Sequence, residues 1–211
     1  MSNEVIDIHL KVGAIVRNGH FVGTNGSHFD TYLNKDALYP HTAETSRICQ
    51  MFAEKYKDEN IEAVAAPALG GIIISQWTAH HLSDISGKEV YATFTEKTED
   101  GGQIFTRGYD KFVRGRRVLI IEDNTTTGGS VMKVVNAVRS AGGEVAAVCV
   151  MINRDPEKVN SETLGIRFDA LSELPVTSYS AEECPLCKSG VPINTELGKG
   201  KKYLENLNGR N

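Results

Sequence analysis

Two adjacent acids followed by a run of threonines and glycines are the strongest chemical signal in this sequence. Glu122 and Asp123 come directly after the apolar run 118–121, and residues 125–130 read TTTGGS. The apolar run does not alternate with polar residues, which is typical of a strand covered on both faces. Hydroxyls and glycine N–H groups at the start of a helix suit a phosphate. The segment therefore predicts a ligand with both hydroxyls and a phosphate, such as a ribose 5-phosphate.

Three alternatives to a sugar-phosphate site fit this segment less well. An ordinary strand–turn–helix junction needs one capping residue and no acid pair. No lysine stands in a GxxxxGK[ST] arrangement here, and no GxGxxG occurs, so neither nucleotide-binding fingerprint applies. The segment instead resembles the PRPP-binding motif of type I phosphoribosyltransferases, in which two acids and a variable residue or two precede T-T-G-G-S.

That resemblance implies a role for each residue of the motif. Glu122 and Asp123 would hold the ribose 2′- and 3′-hydroxyls. The 5′-phosphate would be wrapped by Thr125, Thr126, Thr127, Gly128, Gly129 and Ser130. Asn124 departs from the apolar residue more usual at its position, and we expect the change to be tolerated because its neighbours supply the contacts.

Two other segments carry residues that the resemblance assigns to pyrophosphate. The turn 68–71 lies between a predicted strand and a helix, where it would present backbone N–H groups; by itself it is equally well an ordinary turn. Its residues are Ala68, Leu69, Gly70 and Gly71. The long connection 95–109 is predicted to close over the site, with Lys97 and Arg107 as its cations. The alternative is a solvated hairpin tip.

The resemblance narrows to orotate phosphoribosyltransferases and covers about residues 10–195. Residues 26–33, GSHFDTYL, resemble the S-G-x-x-S-x-x-Y/F segment that forms the hood over the base, and residues 153–155 resemble a V-D-R-x-E segment. Arg154 would then hold the orotate ring, since a guanidinium fork matches a planar carboxylate. The alternative is a surface salt bridge from Arg154 to Asp155 or Glu157. Lys35, in the hood segment, is a further substrate-binding candidate.

The chain departs from this family in its loops. Many orotate enzymes carry R-K-x-x-K-x-H-G in the lid, whereas residues 96–102 read EKTEDGG, so only Lys97 aligns. The 67–71 turn also lacks the lysine often found there. Two alternatives therefore stay open, namely a phosphoribosyltransferase for a purine base and a non-catalytic PRPP-sensing regulator on the same fold.

The resemblance also implies a fold and a reaction. The fold is α/β, an open, mainly parallel twisted sheet flanked by helices, with a small N-terminal hood and a C-terminal tail. The reaction transfers the 5-phosphoribosyl group of PRPP to orotate, giving orotidine 5′-phosphate and pyrophosphate in pyrimidine biosynthesis. Glu122, Asp123 and Lys97 would be catalytic, with Mg²⁺ bound mainly through PRPP and no metal ligand assigned to the protein. The chain would act as a homodimer.

Alternating helix and strand patterns independently indicate an α/β fold with a mainly parallel sheet. The predicted helices cover residues 4–17, 42–57, 72–82 and 131–141. The predicted strands cover residues 61–66, 90–94, 118–121, 144–152 and 168–174. We expect a hood segment over 1–40, a core over 41–175 and a tail over 176–211, which together make one functional domain. Residues 198–211 have the composition of a mobile end.

Composition narrows the class of protein. The chain has 211 residues and a formal net charge of −4, which argues against a broad nucleic-acid or anionic-membrane surface. No apolar run approaches the roughly 20 residues that span a bilayer. The N-terminus lacks a basic segment followed by an apolar stretch, so it does not predict a signal peptide. We expect a cytoplasmic enzyme whose partners are small molecules, without nucleic acid or membrane.

The four cysteines are too few for a disulfide scaffold in a chain of this length. Cys49 and Cys149 are predicted as small core residues. Cys184 and Cys187 form a C-P-L-C pair with no histidine nearby in sequence, so zinc would need a second subunit's pair, and a simple reduced turn is favoured over zinc or a redox pair. His20, His28 and the pair 80–81 lie outside the motifs and are expected to have core or surface roles.

Overall fold

The structure is a computed structural model that describes residues 3–23 and 25–208. Within these ranges the helices are α1 (Glu4–Lys11), α2 (Thr42–Tyr56), α3 (Gly70–Ser86), α4 (Gly129–Ser140), α5 (Ser161–Leu164), α6 (Pro185–Lys188) and α7 (Gly200–Asn208). The strands are β1 (Ile15–Val16), β2 (Phe21–Val22), β3 (His28–Phe29), β4 (Tyr32–Leu33), β5 (Ala63–Pro67), β6 (Tyr91–Lys97), β7 (Gln103–Ile104), β8 (Arg117–Thr125), β9 (Glu144–Asn153) and β10 (Phe168–Glu173). Short 3₁₀ turns cover Lys35–Ala37 and Tyr109–Phe112.

A six-stranded sheet in the order β10-β9-β8-β5-β6-β7 forms the centre of the fold. The first five strands in this order are parallel, and β7 pairs antiparallel with β6. The predicted α/β class, with an open and mainly parallel sheet flanked by helices, is confirmed. Apolar runs without alternation form the central strands because helices cover both faces of the sheet.

The strand order places a ligand crevice at one edge of this sheet. From β5 the chain moves to β6 on one side, and it later returns to the other side of β5 as β8. The connections that leave the carboxyl ends of β5 and β8 therefore diverge, which is where open α/β sheets bind their ligands.

Helix α4 shows how the sequence fixes the element that follows the acid pair. Val131, Val134, Val135 and Val138 are all buried, and their spacing puts them on one face of the helix, against the sheet. Gly128 precedes the helix with a φ of 73°, and Gly142 follows it with a φ of 82°. Both values lie in the left-handed region, which glycine adopts at little cost.

Several predicted bounds are wrong. The helix predicted over 4–17 ends at Lys11, because Gly13 turns the chain with a φ of 71° and residues 15–16 form β1. The strand predicted over 118–121 runs on to Thr125. The strand predicted over 90–94 continues to Lys97, and the connection after it forms the β6–β7 hairpin. The tail, expected to end without structure, contains α6 and α7.

The chain divides into two compact units. The core unit contains residues 3–5 and 39–174, and with them the six-stranded sheet. The hood–tail unit contains residues 6–38 and the described chain from 175 onward, so the N-terminal hood segment and the C-terminal tail belong to one unit. It is built on two small antiparallel pairs, β1 with β4 and β2 with β3.

Across the described ranges, no helix combines the length and the apolar character that a membrane crossing requires.

Candidate active site

The two acids of the motif lie at the end of β8 and are almost fully buried. Glu122 is 6% exposed and Asp123 is 5% exposed. Asp123 Oδ2 accepts a hydrogen bond from Tyr39 Oη at 3.1 Å, and Asp123 Oδ1 accepts from the backbone N and Nδ2 of Asn124 at 2.6 and 2.8 Å. The Asp123 N–H donates to Glu122 Oε1 at 3.2 Å. These bonds hold the carboxylates in fixed orientations at the crevice.

Asn124 has a defined partner in this network. Its side-chain amide donates to the Asp123 carboxylate, a contact that an apolar residue could not make. The departure from the family pattern is thus accommodated locally.

The segment after the acids forms a narrow loop at the start of α4. Thr125 Oγ1 accepts a hydrogen bond from the Gly128 N–H at 2.9 Å, which closes the loop. The φ of Gly128 is 73°, which strains any residue with a side chain, and a Cβ there would lie 2.7 Å from Leu164 Cδ2, so Leu164 would also have to shift. The side chains that remain exposed along the loop belong to Thr126, Thr127 and Ser130.

The electrostatics of this loop favour an anion. The first N–H groups of a helix lack partners inside the helix and carry the positive end of its dipole. In α4 these groups follow Gly128, beside the exposed hydroxyls. The loop can therefore hold a phosphate by backbone donors and hydroxyls together.

The turn after β5 lies at the same edge of the sheet. Ala68 N–H donates to Thr95 O at 2.8 Å, and the Ala68–Leu69 peptide bond is cis. The Leu69 side chain is 83% exposed, so the turn faces solvent. A Cβ on Gly71 would lie 2.8 Å from Ala66 Cβ, which shows how closely α3 packs on β5. In the predicted turn 68–71, Leu69 is therefore exposed, Ala68 and Gly70 are half-buried and Gly71 is buried.

Tyr39 is a site residue that the sequence did not reveal. Its hydroxyl donates to Asp123, and its ring lies against Gly70, where a Cβ would come within 3.0 Å of two ring carbons. Tyr39 therefore joins the acid pair to the turn after β5. No motif marks it, since 84 residues separate it from Asp123.

Lys97 and Arg107, the two cations expected in the 95–109 connection, have different surroundings. Lys97 is the exposed last residue of β6, in register with Gln103 of β7. Arg107 pairs with Glu96 at 3.3 Å, and Glu96 also accepts from Thr106. The connection forms a hairpin in this structure. Its predicted closure over the site stays a prediction.

Arg154 directly follows β9, the strand beside β8. Its backbone N–H donates to Thr125 O at 2.9 Å, which brings it to the phosphate loop. Asp155, one of the acids considered as its salt-bridge partner, pairs with Lys158 at 2.8 Å. The Lys158 ammonium lowers the pKa of Asp155 from its usual value.

The core unit thus brings most of the predicted site residues to one edge of the sheet. The turn 68–71 follows β5, Lys97 ends β6, the motif 122–130 ends β8, and Arg154 follows β9. Lys35 belongs to the hood–tail unit, where it begins the 3₁₀ turn Lys35–Ala37 and is half-buried.

The four cysteines divide into two kinds. Cys49 and Cys149 are buried core residues, as predicted, and burial raises the pKa of each thiol to about 12. The expectation that Cys184 and Cys187 have no histidine close enough to share a metal is wrong. His20 and His28 of the same chain lie beside them, brought there by the fold.

The chain is similar to several known proteins. The family model described as a phosphoribosyl transferase domain matches residues 34–174. An orotate phosphoribosyltransferase of Desulforamulus reducens is 37% identical over 90% of this chain and 93% of its own length. One from Caldanaerobacter subterraneus subsp. tengcongensis is 36% identical over 90% and 94%. The crystal structure of a phosphoribosyltransferase from Corynebacterium diphtheriae has a TM-score of 0.64 at 25% identity, covering 82% of this chain and 96% of that one.

Proposed function

Because the chain belongs to the phosphoribosyltransferase family, we infer that it is an orotate phosphoribosyltransferase. It transfers the 5-phosphoribosyl group of PRPP to orotate and releases pyrophosphate, which is a step of pyrimidine biosynthesis. The relatives that support this activity match nine-tenths of the chain, and the chain covers at least 93% of their length.

The acid pair beside an anion-binding loop is the observation on which the substrate assignment rests. Glu122 and Asp123 are buried near the end of β8, and the loop 125–130 begins directly after Asn124. In a ribose 5-phosphate only a few bonds separate the diol from the phosphate, and in the chain only Asn124 separates the acid pair from the loop. We propose that the carboxylates accept hydrogen bonds from the two ring hydroxyls while the loop binds the phosphate.

The reaction is substitution at the anomeric carbon. The bond from this carbon to the pyrophosphate oxygen breaks, its electron pair leaves with pyrophosphate, and the ring develops oxocarbenium-like positive charge, as in glycosyl transfer. A ring nitrogen of orotate donates the electron pair of the new bond and loses its proton to the departing pyrophosphate or to water, so no protein nucleophile is needed. The negative charges of Glu122 and Asp123 offset the charge on the ring, and Lys97 offsets the charge on pyrophosphate.

We expect a divalent cation to bind at this site together with PRPP, and not to the protein alone. Carboxylate oxygens are ligands that Mg²⁺ prefers. The described residues contain no cluster of three or more acidic or histidine ligands at this edge of the sheet. An ion here would take most of its ligands from the diphosphate and water, with Glu122 and Asp123 as the available protein oxygens. Its chemical contribution would be to neutralise charge on the leaving group.

Arg154 is our proposal for recognition of the base. Its backbone is tied to β8 through the bond from its N–H to Thr125 O, so the residue starts next to the ribose-phosphate site. A guanidinium can bind the carboxylate of orotate with two parallel hydrogen bonds, which adenine and hypoxanthine cannot accept in the same way.

A base panel tests the function. Pyrophosphate release is measured with orotate, uracil, adenine, hypoxanthine and xanthine, and PRPP binding in the presence of magnesium is measured separately by calorimetry. Orotate should be the preferred acceptor. Turnover with a purine alone would establish the purine alternative, whereas PRPP binding without turnover of any base would establish a regulator.

We further propose a homodimer in the cytoplasm. The homodimer rests on the family resemblance, and light scattering coupled to gel filtration measures it. The location is supported by the free thiols of Cys49 and Cys149, since reducing compartments keep thiols unpaired.

A further inference from the structure

Four metal-binding side chains from two distant parts of the sequence meet inside the hood–tail unit. They come from His20 and His28 near one end of the chain and from Cys184 and Cys187 near the other. One ligand atom from each lies within 4.8 Å of all the others. The phosphoribosyl transfer described above makes no use of them.

Local structure explains why the four side chains converge. His28 is in register with Val22 in the β2–β3 hairpin, and alternation along the strand puts residue 20 on the same face as residue 22. Both imidazoles therefore leave one face of the hairpin. Cys184 caps α6 and Cys187 lies one turn further, with Pro185 at the first helical position, so both thiols leave one side of that turn.

Three nitrogen–sulfur separations in the cluster match those of a tetrahedral site. Cys187 Sγ lies 3.7 Å from His20 Nε2 and 3.4 Å from His28 Nδ1, and Cys184 Sγ lies 3.7 Å from His20 Nε2. Zinc bonds of about 2.0 Å to nitrogen and about 2.3 Å to sulfur put tetrahedral nitrogen and sulfur ligands about 3.5 Å apart. The two imidazole nitrogens are 2.8 Å apart and need to separate only slightly.

One of the imidazoles is already oriented by an outer hydrogen bond. His20 Nδ1 donates to Val191 O at 2.7 Å, which leaves the lone pair of Nε2 directed at the cluster. Metal-bound histidines commonly donate their second ring nitrogen to a backbone carbonyl in this way.

Low solvent exposure distinguishes this cluster from metal-binding side chains that meet by chance on a surface. His20 is 2% exposed, His28 is fully buried and Cys184 is fully buried. Cys187 is exposed and closes the cluster from the solvent side. Placing two imidazoles and a thiol together away from water is costly unless each donor has a partner. A cation that binds all four offsets that cost.

We propose that His20, His28, Cys184 and Cys187 bind one zinc ion as a structural site of the hood–tail unit. Two thiolates and two imidazoles in a tetrahedron favour zinc over magnesium, which prefers oxygen ligands. Four protein ligands fill the coordination sphere, so the site is closed and not catalytic. The sheets of this unit have strands of only two residues, and small units of this kind commonly depend on a metal or a disulfide.

The first test measures metal in the whole wild-type protein, prepared without an affinity tag. The protein is equilibrated with equimolar zinc in excess magnesium, passed through a desalting column, and analysed by mass spectrometry for metals. We expect one zinc per chain. The Cys187→Ser and His28→Asn variants should bind zinc at least about a hundredfold more weakly, whereas Cys49→Ala and His80→Asn should match the wild type.

The second test does not depend on how well a variant folds. The metal-free wild-type chain is titrated with Co²⁺, a spectroscopic substitute for zinc. Intense visible bands of a tetrahedral ion and a near-ultraviolet thiolate band should saturate at one equivalent and be abolished by one equivalent of zinc. A folded, PRPP-binding chain that takes up neither metal overturns the proposal. A Cys184–Cys187 disulfide in the chain as isolated under reducing conditions does so as well.

Discussion

Replacing Asp123 by asparagine should slow phosphoribosyl transfer strongly while leaving the fold intact. The carboxylate accepts hydrogen bonds from Tyr39 at one oxygen and from Asn124 at the other. An asparagine keeps the size of the side chain but turns one acceptor into a donor, so one of these donors faces an N–H group. It also removes the negative charge beside the anomeric carbon.

The lost charge sets the size of the effect. A unit charge about 4 Å from a developing positive charge contributes about 4 kcal/mol at an effective dielectric constant of about 20. Charge on the ring is partial, so we expect a loss of about 3 kcal/mol, which corresponds to a rate reduction of about a hundredfold or more. Replacing Glu122 by glutamine in the same chain should not restore any of the lost rate.

Pre-steady-state measurement of pyrophosphate release, with calorimetry of PRPP binding beside it, tests this reasoning. The proposed hydrogen bonds from the ribose hydroxyls to the carboxylates also form in the ground state, so the variant should bind PRPP more weakly as well. Tyr39→Phe is the matched control, because it keeps both carboxylates and removes only one neutral donor, which contributes about 1 kcal/mol. A folded Asp123→Asn enzyme with turnover close to that of the wild type would refute the assigned role of the acid pair.

Three further predictions address other parts of the molecule. Arg154→Ala should raise the KM for orotate about tenfold or more with PRPP affinity preserved, whereas Lys158→Ala should change neither; an equal loss for both substrates would contradict base recognition by Arg154. Gly128→Ala should weaken PRPP binding in calorimetry, because the φ of residue 128 is 73° and a Cβ there meets Leu164. Gly165→Ala is the control for backbone strain alone, since its φ is 62° and a Cβ there meets open space. Burial, the largest single influence, raises the pKa of Asp169, but the hydrogen bonds from Tyr56 and Lys55 and the charges of Lys55 and Arg167 together lower it below its usual value. Its contribution to stability is therefore present above the unfolded pKa near 4 and disappears as the pH falls through the folded value. Urea unfolding of Asp169→Asn should accordingly depend less steeply on pH below about pH 4, and an unchanged slope would contradict the assignment.

The phosphoribosyl site was predictable in large part because its parts are local in the chain. The strand, the acid pair, the phosphate loop and the start of α4 all lie within residues 117–130, so the residue types and their spacing already specify the chemistry. The alternation of helices and strands then places successive strand ends at one edge of a parallel sheet. The turn 68–71 and Arg154 reach that edge for the same reason.

Element bounds were less predictable, because local patterns do not record where a strand stops pairing. The motif strand extends past its apolar residues to Thr125, since β9 offers partners as far as Asn153. Likewise β6 continues to Lys97, where β7 pairs with it. Hydrogen bonds between strands, and not the hydrophobicity of either strand, set these ends.

The sequence alone determined the class of fold, the sugar-phosphate motif and the family resemblance, because each is written in neighbouring residues. Only the tertiary structure decided that Tyr39 contacts Asp123, and that His20 meets Cys184 from 164 positions away. Contacts of this kind depend on how helices and strands pack, and no spacing in the sequence encodes that packing directly. The histidines could therefore be seen as metal ligands only once the hood segment and the tail were found in one unit.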